Sequence, residues 1–272
     1  MATILLALLL KIALTASIVV AASVVVERAG PFLGSLIASL PTAGGAAMII
    51  LAVQHQPAFI AQSAVGSIVS DAVCGIFALT YAALAQRRSL PVSLTVAFLI
   101  WFACAAASRL IDWSAASALL LNAIVFPLTI LAGARFRAEG SMRRVTLSKS
   151  DLAWRAGVVT LCVLVVTGIS GSIGSYFSGL FAFFPVAMAS FFVILHPRLG
   201  GPAAASVAAH VQAPLIGLGL SLYAVHLLAE PIGVWWSYAV GLSVGISWNA
   251  LLWLSRQWWK SRQAVGVAGT PD

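Results

Sequence analysis

Apolar residues along this chain come in runs of about twenty, separated by short polar clusters. The runs show neither the strict alternation of a half-buried strand nor the single polar stripe of a soluble amphipathic helix. They predict membrane-spanning helices near 3–26, 30–53, 58–85, 90–109, 114–134, 153–171, 174–196, 202–228 and 231–255, nine in all. The fold class is therefore all-α, a polytopic bundle. Connections are short except for residues 135–152, RFRAEGSMRRVTLSKSDL. The first run has no basic residue before it and is interrupted by Lys11, so it reads as a retained span and not as a cleaved signal peptide.

Basic residues alternate between loops. Arg28 follows the first span, Arg87 and Arg88 the third, Arg135, Arg137, Arg143, Arg144 and Lys149 the fifth, Arg198 the seventh, and Arg256, Lys260 and Arg262 the ninth. The other loops offer only Arg109, beside Asp112. Lysine and arginine are retained on the cytoplasmic side, so the N-terminus is expected outside and the C-terminus in the cytoplasm. Trp235, Trp236, Trp258 and Trp259 flank the last span as interfacial anchors.

Composition narrows the function. The 272 residues are 61% hydrophobic and 8% charged, which no water-soluble core of this length accommodates. The net charge of +8 sits in short loops, so nucleic acid is not an expected partner; the basic loop 135–152 should instead meet anionic lipid headgroups. Cys74, Cys104 and Cys162 lie inside apolar runs without metal-ligand spacing. No catalytic constellation, phosphate loop or metal-ligand set stands out, so neither an enzyme nor a cofactor is expected.

Sliding the sequence on itself by 144 residues aligns Gly30 with Gly174, Leu36 with Leu180, Ala38 with Ala182, Pro41 with Pro185, Ala43 with Ala187, Ile50 with Ile194 and Leu51 with Leu195. Lys11 falls on Arg155 and Gly75 on Gly219. Each copy holds four spans with one span between them, and an odd connecting helix turns the second copy over. The expected architecture is a 4+1+4 inverted repeat, a recurring plan of secondary transporters. In each copy the second span contains a proline. A half-helix beginning after Pro41, at Thr42, Gly44 and Gly45, or after Pro185, would expose amide N–H groups that favour an anion. The plainer alternative is a kink whose freed carbonyl is taken up by a neighbouring helix.

Charged and polar groups inside the spans complete the candidate list. Lys11 and Arg155 either snorkel to the interface or converge on an anionic solute. Asp71, flanked by Ser67 and Ser70, is too short to snorkel; it must take up a proton or find a partner, with Lys11 a candidate, and is the expected proton-coupling group. His210 and Gln212 stand where the first copy has Gly66 and Ile68, and would lend polarity to an asymmetric solute site. His226 and Glu230 should lie solvated near the outer end of the eighth span, and Asn122 and Asn249 should bond between helices.

The motif GPFLGSLIASLP after a lysine-bearing first span resembles a group of small bacterial inner-membrane proteins, the GlpM-like proteins, each about the size of one repeat. Lys11, Gly30, Gly34, Ala38 and Pro41 carry the likeness, and Arg155, Gly174, Gly179 and Pro185 carry it less fully. It implies two fused copies in the bacterial inner membrane. The expected organisation is a first repeat over 1–110, a linking helix and basic loop over 111–152, a second repeat over 153–256 and a cytoplasmic tail over 257–272. The expected function is a secondary transporter of a small anionic solute; the alternatives are a membrane scaffold or accessory subunit of an envelope complex, and an intramembrane enzyme. Substrate, direction and oligomeric state stay open, a homo-oligomer included.

Overall fold

The computed structural model describes residues 12, 13, 15–17, 20, 21, 42–137 and 148–268. Lys11, Pro41 and most of the basic loop lie outside the described residues. Those described are helical, with no strand. The helices are α1 (Thr42–Gln54), α2 (Pro57–Ala85), α3 (Leu90–Ala107), α4 (Ala115–Gly133), α5 (Lys149–Ala182), α6 (Val186–Leu199), α7 (Gly201–His210), α8 (Gln212–Leu228) and α9 (Val234–Ala268). Six apolar helical stretches among the described residues are long enough to cross a membrane: Pro57–Ala85, Leu90–Leu110, Ala115–Phe136, Lys149–Leu199, Gly201–Leu228 and Val234–Trp258. Large apolar side chains such as Leu99, Leu128, Leu131, Leu161, Trp236 and Leu251 remain on the outer faces. Such a surface suits lipid and not water.

Local chemistry sets the helix starts. Pro57 opens α2 and Pro91 lies in the first turn of α3, where a missing N–H costs nothing. Ser114 and Ser117 form a capping box at α4, and Ser148 and Asp151 form one at α5. Gly200, at φ +85°, hands the chain from α6 to α7.

The 51-residue stretch Lys149–Leu199 is a hairpin. Gly174 has φ +79° and ψ 174°, a conformation that L side chains resist, and the chain reverses there. Ser178 Oγ reaches back to the Ser170 carbonyl at 3.4 Å. Arg155 meets Ser190 at 3.2 Å, and Asp151 meets Arg198 at 2.7 Å near the open end. These contacts pair residues in descending against ascending order, so the limbs lie antiparallel. The predicted spans 153–171 and 174–196 are these two limbs, and the second is broken before α6.

At the centre runs α2, buried along most of its length and packed against α3, α4, α5, α7 and α8. Its inward positions are Ala, Ser, Gly and Val, which let neighbouring backbones come close. On one side it lies parallel to the second limb of the hairpin. Ser63 Oγ donates to the Ser175 carbonyl at 3.0 Å, Ser67 Oγ to the Gly179 carbonyl at 3.0 Å, and Tyr81 OH pairs with His196 Nδ1 at 2.9 Å. Gly66 and Gly179 permit this contact: a Cβ on Gly179 would collide with the Ser63 carbonyl, and one on Gly66 with the Tyr176 carbonyl. On the other side α2 lies antiparallel to α7 and α8. Ala61 pairs with His226, Asp71 with Gly219, Gly75 with Gln212 and Ala85 with Gly201.

Because the Gly179 clash is backbone against side chain, a flexible neighbour cannot relieve it. Gly179→Ala should destabilise the folded protein by about 1–3 kcal/mol, the usual cost of overpacking, read as a lower midpoint of thermal unfolding in detergent. Gly171→Ala, where a Cβ meets open space, should leave the midpoint within about 0.5 kcal/mol of the native protein.

Candidate functional site: a broken helix beside a polar crossing

Two features meet at the middle of α2. The first is the break between α5 and α6. Pro185 lacks an N–H and starts α6 with no side-chain cap. The Phe183 carbonyl is taken up by α2: Ser70 Oγ donates to it at 3.3 Å and Cys74 Sγ at 3.2 Å. Neighbour satisfaction of the freed carbonyl, the plainer expectation from sequence, is thus present at this proline. The amide end of α6 carries no such side-chain cap.

The sequence-matched position in the other copy adjoins this break. α1 begins at Thr42, directly after Pro41. Gly44, two residues on, is buried against the Phe183 ring, so closely that a Cβ would stand 2.4 Å from the ring edge. The start of one half-helix and the break before the other therefore lie side by side, with the Phe183 ring filling the space between them. Gly45 is half-buried beside it. α3 closes the far side: Trp101 is fully buried, its ring edge-on to Phe184 at 4.9 Å, and its Nε1 has no hydrogen-bond partner. Arg155, the residue matched to Lys11, does not snorkel. It is 2% exposed, its guanidinium lies 3.3 Å from the Phe191 ring centroid, and its Nε donates to Ser190 Oγ, one turn into α6.

The second feature is the crossing of α2 with α8. It falls at Gly75 and Gly219, the pair 144 residues apart, and each glycine receives a polar side chain from the opposite helix. A Cβ on Gly75 would stand 3.1 Å from Gln212 Oε1, and one on Gly219 would stand 3.0 Å from Asp71 Oδ2. α4 contributes to both. Thr129 Oγ1 donates to Gln212 Oε1 at 3.0 Å, while Gln212 Nε2 donates to the Gly75 carbonyl at 2.9 Å. Two turns earlier, Asn122 Nδ2 donates to the Ile68 carbonyl at 3.2 Å and lies 2.8 Å from the same Gly219 Cβ position.

The two sides are satisfied unequally. Gln212 is wholly buried with its amide engaged at both ends. Asp71 is 1% exposed, and neither carboxylate oxygen has a hydrogen-bond partner among the described residues; Gly219 faces it without completing an aligned bond. Asn122 Oδ1 is also without a partner.

Sequence order misled in places. Ser67 and Ser70 flank Asp71 along the chain, but their hydroxyls serve Gly179 and Phe183 on another face of α2. His226 is half-buried and tied to the Ala61 carbonyl at 2.8 Å, not solvated, because α2 runs beside the end of α8; Glu230 is exposed as expected. His210 is occupied with the Ser206 carbonyl of its own helix at 2.7 Å. Thr129, Trp101, Phe183 and Gly219 escaped the sequence reading; the alignment of Gly75 with Gly219 was the signal that could have found the crossing. No protein-family model, curated protein or solved structure matches the chain.

Gln212→Leu removes two interhelical hydrogen bonds and should cost about 0.5–2 kcal/mol, the range of such bonds within membranes. Asp71→Asn keeps the shape and removes an unpartnered acid, so its thermal midpoint should equal or exceed that of the native protein. A fall as large as that of Gln212→Leu would mean that Asp71 is ion-paired in the folded state.

Proposed function

We propose that this chain is a secondary transporter of the bacterial inner membrane, built as an inverted repeat and moving a small anionic solute by alternating access. The observation that carries the reading is the antiparallel crossing of α2 with α7–α8. These elements begin 144 residues apart, at Pro57 and Gly201, and their neighbours repeat the interval: α1 and α6 begin at Thr42 and Val186, α3 and α9 at Leu90 and Val234. α4, which belongs to neither copy, packs on both partners of the crossing. A pseudo-twofold axis through Gly75 and Gly219 accounts for all of this, and gives two arrangements of similar energy in which each half can take the other's form.

The solute site lies between the starts of α1 and α6. Uncapped amides of α6, the unpartnered Trp101 Nε1 and the buried Arg155 supply donors and positive charge, which select an anion. The matched residues Lys11, Pro41 and Thr42 are assigned to the same site by sequence. His210 and Gln212, though engaged internally in this arrangement, line the helix bend nearest the crossing and are released as the halves move. Phe183 against Gly44 closes the site here. Asp71 couples the motion to protons, and the basic loop holds the cytoplasmic face to anionic lipid, with the N-terminus outside.

Reconstituted protein in proteoliposomes should take up one or more members of a panel of labelled mono- and dicarboxylates, inorganic phosphate and sulfonates, driven by a pH gradient. Asp71→Asn should abolish the dependence on the gradient, and Phe183→Ala should raise ungated leak of the same solute. Impermeant labelling of single cysteines near each terminus should find them on opposite sides. Both termini on one side would defeat the inverted repeat, and a sealed, correctly oriented protein that moves nothing in the panel would favour the scaffold reading.

A further inference from the structure

The open half of the crossing has a chemical deficit that can be named. Three buried oxygens, Asp71 Oδ1, Asp71 Oδ2 and Asn122 Oδ1, are acceptors without a donor. The orientation of the Asn122 amide is fixed by its hydrogen bond to the Ile68 carbonyl at 3.2 Å; turning it over would set oxygen against oxygen. The carboxyl and the amide both border the notch left by the missing side chain of Gly219, at 3.0 and 2.8 Å from the point a Cβ would occupy. An unpartnered buried acceptor costs about 1–3 kcal/mol, and a buried bare charge costs several times that.

No donor for these oxygens comes from the surrounding protein. Among the described residues no basic side chain of α3, α4, α5, α7 or α8 forms an ion pair with Asp71. α8 offers the Gly219 backbone and α4 offers Asn122. Cys74, on α2 itself, is the titratable neighbour, and its thiol is directed to the Phe183 carbonyl. What the notch lacks is one donor. A proton fits this need with the fewest demands: a carboxylic acid has one O–H to give, and the amide oxygen is an acceptor waiting beside it. A sodium ion would ask for several more oxygens than the three present.

We propose that Asp71 and Asn122 form a proton-binding site in the Gly219 notch, in which the Asp71 carboxylic acid donates its O–H to Asn122 Oδ1. One proton thereby satisfies the acid and the amide together. This deepens the coupling role given to Asp71 above and rests on that reading for its use in transport, while the binding itself rests on the geometry of the notch. Asn122 belongs to the linking helix α4, so the proton ties α4 to the crossing of the two copies. Its loss leaves a charge facing an amide oxygen, which drives α4 away from Gly219.

Infrared difference spectroscopy on purified protein in nanodiscs tests this without any solute. The native protein should show a protonated-carboxyl C=O band that shifts in deuterium oxide and is missing in Asp71→Asn. Asn122→Leu, which keeps the volume and removes the acceptor, should move that band to higher wavenumber; Asn122→Ala serves as a second variant should the first not fold. Sodium and lithium at constant pH should leave the band unchanged. Absence of an Asp71-dependent band throughout the pH range of the folded protein overturns the site. A band indifferent to both Asn122 variants overturns the role of the amide, and one removed by sodium or lithium replaces the proton by a metal cation. A protein that moves no solute in liposomes can still pass every arm of this experiment, so failure of transport and failure of the proton site are separate results.

Discussion

In an apolar solvent every interruption of a helix must be made good by a neighbouring helix, and α2 is the neighbour here. Water is unavailable to take up freed carbonyls in the hydrocarbon region, and lipid gives helices no hydrophobic reason to associate. α2 answers both constraints with small side chains. Alanines and glycines let α5 and α8 approach to backbone contact. Serines and Cys74 then place donors where the broken limb needs them: Ser63, Ser67, Ser70 and Cys74 descend one side of α2 and meet the carbonyls of Ser175, Gly179 and Phe183. Without that ladder the break before Pro185 would sit in a packed bundle with an unanswered carbonyl.

The parts of this arrangement that depend on local chain chemistry were legible in the sequence. Apolar length located the limbs of the hairpin and the long helices. Proline marked the break before α6, and α1 starts directly after Pro41, whose own geometry lies outside the described residues. The 144-residue interval reappears in the helix starts because prolines, glycines and caps set those starts, and these are local devices. What pairs with what across the bundle was not legible. Asp71 stands out by its charge, yet its surroundings are Asn122 and Gly219, 51 and 148 residues away in sequence, while the serines beside it in the chain turn elsewhere. Arg155 looked like a side chain that reaches the interface; the hairpin instead folds Phe191 over it.

The two proline-linked segments illustrate why a kink and a binding site are not exclusive readings. A kink needs only its carbonyl satisfied, and the donors to Phe183 are a hydroxyl and a thiol, groups that rotate freely about one bond. The amide end is different. α6 has no side-chain cap, and the nearest buried donor of α3, Trp101 Nε1, is itself unmatched. Acceptors around the break are answered and donors are not, which is the polarity expected of a place that an anion visits and leaves.

The same argument applied to the crossing gives the opposite sign. Gly75 and Gly219 are matched positions, and each admits a polar group from the facing helix, so a symmetric ancestor would have filled both notches alike. Gln212 fills one with an amide that both gives and accepts, and Thr129 completes it. Asp71 fills the other with a group that only accepts while ionised, and α4 meets it with an amide whose single engaged donor is spent on Ile68. A closed notch holds two helices at a fixed spacing whatever the conditions. An open notch holds them only while its missing donor is supplied, so the strength of the central contact becomes a function of that supply. Placing one of each on the same crossing leaves the helices joined on one side and conditionally joined on the other, which is the mechanical requirement for two halves that must rock without coming apart.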